Sequence, residues 1–237
     1  MSNKPVTLGQ AVQVRKMAIE KGVSRDVFQT RLDDGTVARF LNSLKPSIGD
    51  LARWEANYKK LFEERPDLSQ VRIPEKPEGV GPVRLLVCAK ELIEWTENHP
   101  LEGVQEALKK HFRGWEYTDD LDADITMNDR DPRNGSYAVW VKDVREADEE
   151  FANKSAGDLK AEGHTGITEL ERGLLEGDVF LEKGEHLDRE NVTLCTGSRR
   201  RDGLVPSGHW GARDGFDVDC CDSARRLPRL RSRRVWA

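Results

Sequence analysis

"HWGARDGFDVDCCDSARRLPRLRSRR", residues 209–234, opens with an alternation of apolar and polar side chains and dissolves into arginines. In FDVDC, a strand would send Phe216, Val218 and Cys220 to one side and Asp217, Asp219 and Cys221 to the other. The first set reads as core and the second as solvent-facing. Val205, Trp210, Leu227 and Leu230 supply further apolar anchors around it, whereas Arg200, Ser207, His209, Arg213, Arg225 and Arg229 follow neither strand propensity nor charge pairing.

The composition of this end is also unusual. The chain of 237 residues has 22 Glu and 14 Lys, but from residue 191 to 237 it uses neither, and no Gln or Met, while placing 10 Arg and 5 Asp there. The segment therefore carries +5 within a net charge of −5, leaving −10 for the rest. That balance argues against a protein that coats nucleic acid, yet leaves a cationic C-terminal face.

Working outward, the sequence predicts an α+β protein. Short helices are expected from Thr7 to about Glu64, closed first at Gly22 and capped in turn by Ser24, Thr36 and Asp50. The stretch 65–83, with four prolines, reads as a linker or extended crossover. RLLVCAKELIEW is apolar and of undecided type, and LEGVQEALKKHF is an amphipathic helix. GSYAVWVKDV is a strand with Tyr137, Val139 and Val141 on one face and Ala138, Trp140 and Lys142 on the other. A helix is expected over EADEEFANKSAGDLKAEG. Thr168 and Glu171 have capping-box spacing at the head of ELERGLLEGDVFLEKG, whose Leu170, Leu174, Leu175 and Val179 form a stripe closed by Gly184. NVTLC and the remainder read as short strands and turns. The domain expectation is a helical module over 1–64, a linker over 65–83 and an α+β domain over 84–237.

The run HTGITELERGLLEGDVFLEKGEHLDRENVTLCTGSRRRDGLVPSGHW, continued by FDVD and closed by LRSR, resembles an uncharacterised family of bacterial proteins. Its C-terminal layout is similar to that of the variable proteins of diversity-generating retroelements, which adopt a C-type lectin fold. The likeness covers roughly residues 83–234 and is most specific in TLCTGSR, DGLVP and LRSR. In such systems an error-prone reverse transcriptase copies a template, randomises its adenines, and the copy replaces the 3′ end of the target gene. A codon AAC or AAT so treated still ends in a pyrimidine, and no such codon encodes Lys, Glu, Gln, Met or Trp. GC-rich codon usage also exchanges Lys for Arg, but does not remove Glu.

The resemblance implies a C-type-lectin-like domain after the helical module, with a variable ligand-binding surface at about 197–230. That surface is expected to consist of Arg200, Leu204, Ser207, His209, Arg213, Asp217, Asp219, Cys221, Arg225 and Arg229, and to bind a protein without chemistry. Trp210 would be scaffold. The sequence departs from the family at Gly208, where a β-branched residue suits a strand better, at Cys220, where a large aromatic is usual, and in the tail RVWA. The redox-active cysteine pair of the enzymes that share this fold and form formylglycine is not recognisable, so no enzymatic activity and no cofactor are expected.

Other features have plainer readings. DDLDADITMNDRD (119–131) is dense in aspartates, but lacks the glycine and terminal Glu of an EF-hand, so a solvated loop is favoured over calcium. Cys195, His209, Cys220 and Cys221 have irregular spacing for zinc, and no metal is expected. His99, His111, His164 and His186 are isolated and read as surface or capping residues. AIEKGVSRDVFQTRLDDGTVARFL has the layout of a helix-turn-helix, which offers a DNA-binding regulator as the alternative function. Residues 1–64 carry only 11 basic against 8 acidic side chains, so nucleic acid is not the expected partner. No apolar run approaches the roughly 20 residues that span a bilayer, and MSNKPVTLGQ lacks a signal-peptide pattern, so no membrane contact and a cytoplasmic location are expected.

Overall fold

Trp54, Tyr58 and Leu61 recur at helical spacing and are buried, which fixes how the first described helix joins the core. The structure, a computed structural model, describes residues 36–237, with side chains from residue 49 onward. The helices expected before residue 36, and with them most of the helix-turn-helix-like stretch, lie outside the described residues. The chain divides into compact units at Met1–Gly49 and Asp50–Ala237.

Helix α1 is Thr36–Phe62. Asp50 therefore does not open a helix but lies within one, where its carboxylate accepts from Arg53 at 2.8 Å. The Trp54 indole donates to the Leu85 carbonyl at 2.8 Å, and the Tyr58 hydroxyl lies between Val87 O and Ala89 N, both at 3.0 Å. Buried aromatic rings with satisfied polar tips tie α1 to the strand it covers. These aromatic residues belong to the second of the two compact units. Residues 65–82, expected as a linker or extended crossover, hold no helix or strand and lie against the core, with Leu68 buried and Val71 and Ile73 packed on it.

The apolar run of undecided type resolves into strand β1 (Val83–Cys88) and a helical turn, α2 (Leu92–Trp95). Helix α3 (Pro100–Lys109) follows as expected, burying Leu101, Val104 and Leu108. Strand β2 (Arg113–Glu116), helix α4 (Leu121–Asp124) and the short β3 (Met127–Asn128) lead to β4 (Tyr137–Lys142). β4 runs antiparallel to β1 and, through its other edge, to the terminal strand β10 (Val235–Trp236). Its two-faced pattern is muted, since Ala138, Val139, Trp140 and Val141 are all buried. The divergent RVWA tail therefore completes this sheet, with Val235 opposite Val141.

The single helix expected over 146–163 is broken into a 3-10 turn, Glu149–Phe151, and α5 (Ala156–Ala161). Asn153 sits at φ 61 between them, and Ser155 with Asp158 forms a capping box that starts α5 afresh. Helix α6 (Glu169–Lys183) has the expected Thr168/Glu171 capping box and ends at Gly184 in the left-handed region. It is buried on every side from Glu169 to Val179, so the apolar stripe is only part of its contact surface.

The second sheet has the order β2-β8-β7-β5-β9, with β5 (Val192–Leu194), β7 (Val205–Gly211), β8 (Gly215–Cys221) and β9 (Leu230–Ser232). A two-residue strand, β6 (Ser198–Arg199), pairs with β3. The helices and the largely antiparallel sheets together make an α+β fold.

Candidate functional site

The hairpin β7–β8 presents two unlike faces. Register places Gly208 opposite Val218 and Trp210 opposite Phe216, and this side meets the main core. Register places Ser207 opposite Asp219, His209 opposite Asp217 and Val205 opposite Cys221 on the other side. β2 extends that second face: it runs parallel to β8 with Trp115 level with Asp217.

The inner face explains why glycine, a poor strand former, stands at 208. A Cβ on Gly208 would lie 3.1 Å from Arg172 Cγ and from the Phe216 ring. The guanidinium of Arg172 stacks on Phe216 at 4.8 Å and bonds Asp188 at 3.0 Å and Glu176 at 2.8 Å. A β-branched residue at 208 has no room beside this buried cation. Asp188 also accepts from Arg233 at 2.7 Å and Thr193 at 2.6 Å. Burial pushes the Asp188 carboxyl up, but the charges of Arg233 and Arg172 outweigh it and hold the group below its ordinary value. His186, expected as a surface or capping residue, donates from Nδ1 to the Glu176 carboxylate at 2.9 Å and stacks on Trp210 with ring centroids 3.3 Å apart. His164 is likewise half-buried, against Ser232 at 3.0 Å and the Phe151 ring.

The outer face holds most of the expected ligand-binding residues, although not all of them are exposed. Arg213, Asp219, Arg225 and Arg229 are exposed, Arg200, Leu204 and His209 are half-buried, and Ser207, Asp217 and Cys221 are buried. The strict alternation therefore fails at its ends. Cys221 does not face solvent: it packs with Val192, Leu194 and Leu230 in a second small core, over which Leu227 of the 222–229 loop closes. Burial raises its thiol to about 11, with Arg225 near enough to pull the other way. Asp217 sits down over Gly211, where a Cβ would fall 2.0 Å from its carboxylate oxygen. Burial holds the His209 imidazole below its ordinary value, partly opposed by Asp217 and assisted by Arg229.

Arg200 leaves this group. It turns to the opposite side of β8, reaches Cys220 Sγ at 3.0 Å and Asp124 at 3.1 Å, and stacks on Tyr117 at 4.9 Å. Tyr117, Asp124 and Arg200 line an open cavity of about 470 Å³.

Arg113 and Trp115, which the sequence reading passed over, border the outer face. Arg213 stacks on the Trp115 ring at 5.3 Å and lies 4.0 Å from Asp217. No local signal in RGWE reveals this, since the strand acquires its place only by pairing with β8 about a hundred residues later in the chain.

The acidic loop is spent on structure. Asp120 caps α4, Asp122 accepts from the amides of Leu101 and Glu102 at the head of α3, Asp124 accepts from Tyr117, and Asp131 caps the 3-10 turn that follows it. Among the described residues no group of three or more His, Cys, Asp or Glu is disposed to hold a metal ion, and none of the described helices is long and apolar enough to cross a membrane. Comparison of the chain with protein-family models, with curated proteins and with solved structures finds no match.

Proposed function

We propose that this chain is a cytoplasmic ligand-binding protein with a C-type-lectin-like domain, whose C-terminal segment is diversified by a retroelement and binds a protein partner without chemistry. One observation carries the reading. The exposed side chains of the segment lie in the turn before β8 (Arg213), on the outer face of β8 (Asp219) and in the loop that follows it (Arg225 and Arg229), while the motif residues within the same segment are buried as scaffold. Thr193 bonds Asp188, Ser198 Oγ reaches Asn128 at 2.6 Å, and Arg233 is enclosed by Asp188, Thr193 and two carbonyls. Variation on the outer face would leave that scaffold untouched. The pairing of β10 with β4 beside β1, which joins the two ends of the domain in one sheet, supports the lectin-like layout.

The binding surface so defined is smaller than the ten residues expected. It centres on Arg213, Asp219, Arg225 and Arg229, with His209 at its floor. Arg suits such a surface because its planar fork meets carboxylates bidentately and stacks on aromatic rings. Sequencing the DNA that flanks the gene tests the reading: a reverse transcriptase gene and a near-copy of the 3′ end that differs only at adenines are expected. A flank with neither overturns it.

A further inference from the structure

The outer face contains residues that a retroelement acting on the C-terminal segment would not reach. Trp115 is 39% exposed, and the other large exposed hydrophobics among the described residues, Met127 and Val144, lie outside this sheet. Its neighbour on the face, Arg113, is exposed and stands so close to β8 that a Cβ on Gly215 would lie 3.2 Å from its own. Both residues lie far upstream of the segment without Lys and Glu.

The charges beside Trp115 are also unbalanced. Among the described residues Arg113, on the same face of β2, has no carboxylate within salt-bridge distance, and Arg213, which stacks on the Trp115 ring, has only Asp217, at 4.0 Å; Arg225 and Arg229, in the loop after β8, have none. A face with unpaired guanidiniums on a protein of net charge −5 is suited to a partner that brings carboxylates. Asp217 and Asp219 share this face of β8, Asp217 beside Arg213, which disfavours the continuous negative charge of a nucleic-acid backbone and favours discrete carboxylates that can be placed beside single forks.

We propose that Trp115 and Arg113 form a constant anchor at the edge of the variable face, and that this anchor takes an acidic peptide segment of the ligand. The inference rests on the reading of the outer face as a variable binding surface. Trp115 supplies apolar area at little conformational cost and is the residue type most enriched among binding hot spots. The variable residues then decide which acidic segment is held.

The experiment is peptide display against the full chain, run in parallel with a collection of chains randomised at Arg213, Asp219, Arg225 and Arg229. Recovered peptides are expected to be rich in Asp and Glu and to differ between randomised chains. Each should lose more than about tenfold in affinity on Trp115→Ala, less on Trp115→Phe, and several-fold on Arg113→Ala. Because Trp115 is partly exposed, unchanged melting of these variants serves as the folding control. Peptides that keep their affinity on Trp115→Ala, peptides without acidic residues, or tighter binding of a DNA oligonucleotide overturn the anchor, while the variable-surface reading stands as long as peptide identity follows the randomised positions. Recovery of the same peptides from every randomised chain overturns the variable surface itself.

Discussion

Arg229 and Arg233 stand one helical turn's worth of residues apart in the chain and at opposite extremes of burial. Arg233 is 1% exposed, with its whole guanidinium engaged by Asp188, Thr193 and the carbonyls of Val144 and Arg145. Arg229 is exposed, with no carboxylate in reach among the described residues. The same contrast separates the two faces of the β7–β8 hairpin. On the inner face, charged side chains are desolvated and survive only because each has a fixed partner. On the outer side Arg213, Asp219, Arg225 and Arg229 are solvated and their partners are not specified, while Asp217 is buried, 4.0 Å from Arg213. An arginine in this segment is therefore uninformative by type, and its role follows from which side of one sheet it occupies.

The sharpest way to break this comparison is to remove the partner on the inner face. Asp188→Asn would leave Arg172 and Arg233 buried beside an uncharged group. We expect a loss of about 3–5 kcal/mol, read as the urea midpoint at constant m-value. A loss near zero would mean that water reaches these guanidiniums and that the two faces do not differ. Trp210→Ala on the same side, which removes a buried ring stacked on His186 and set edge-on to Phe112, should cost about 3–5 kcal/mol by the same measurement.

Gly208→Val tests the space rather than the charge. Overpacking against Arg172 and Phe216 is expected to cost about 1–3 kcal/mol, although valine is the better strand former. A stabilised variant would show that strand propensity outweighs the buried cation.

His164 sharpens the comparison through pH. Burial, assisted by Arg234, lowers its folded-state value to about 4 from 6.5. A lowered value means that folding favours the neutral ring. Its contribution is therefore fully present above pH 6.5 and is lost as the pH falls from there towards 4. After allowance for partial solvent exposure the loss is about 2 kcal/mol at most. His164→Asn should flatten the melting temperature across that window, and an unchanged slope would assign the acid sensitivity to carboxylates.

The smallest effect belongs to the outer face. Replacing Arg213, Asp219, Arg225 and Arg229 together by Ser should change stability by no more than about 0.5 kcal/mol per site. Melting of the quadruple variant measures this. A cooperative collapse would place these residues in the scaffold and remove the contrast between the faces.

Some of the structure was legible in the residues themselves. The Thr168/Glu171 box and Gly184 set the ends of α6, and the spacing of Leu101, Val104 and Leu108 set α3, because caps and helical periodicity are local and act within a few residues. Phe216 and Val218 were placed correctly in the core by alternation, and Trp210 and Leu230 are buried as expected. The absence of Lys, Glu, Gln and Met from 191–237 marks that segment in the sequence alone.

What the tertiary structure alone decided lies in pairings between distant parts of the chain. Cys221 and Asp217 are buried because the 222–229 loop folds back with Leu227 and because Gly211 leaves a seat for a carboxylate, and alternation carries no record of either. Arg200 turns to Tyr117 and Asp124, residues that reach it only through the register of β2 with β8. Gly208 is explained by Arg172 on a helix about a full turn of the fold away, and Trp115 joins the outer face by a parallel pairing across about a hundred residues. Periodicity states which side chains share a face, since that is a property of one strand or helix. Whether that face meets water depends on what else packs against it, and only the assembled chain supplies that.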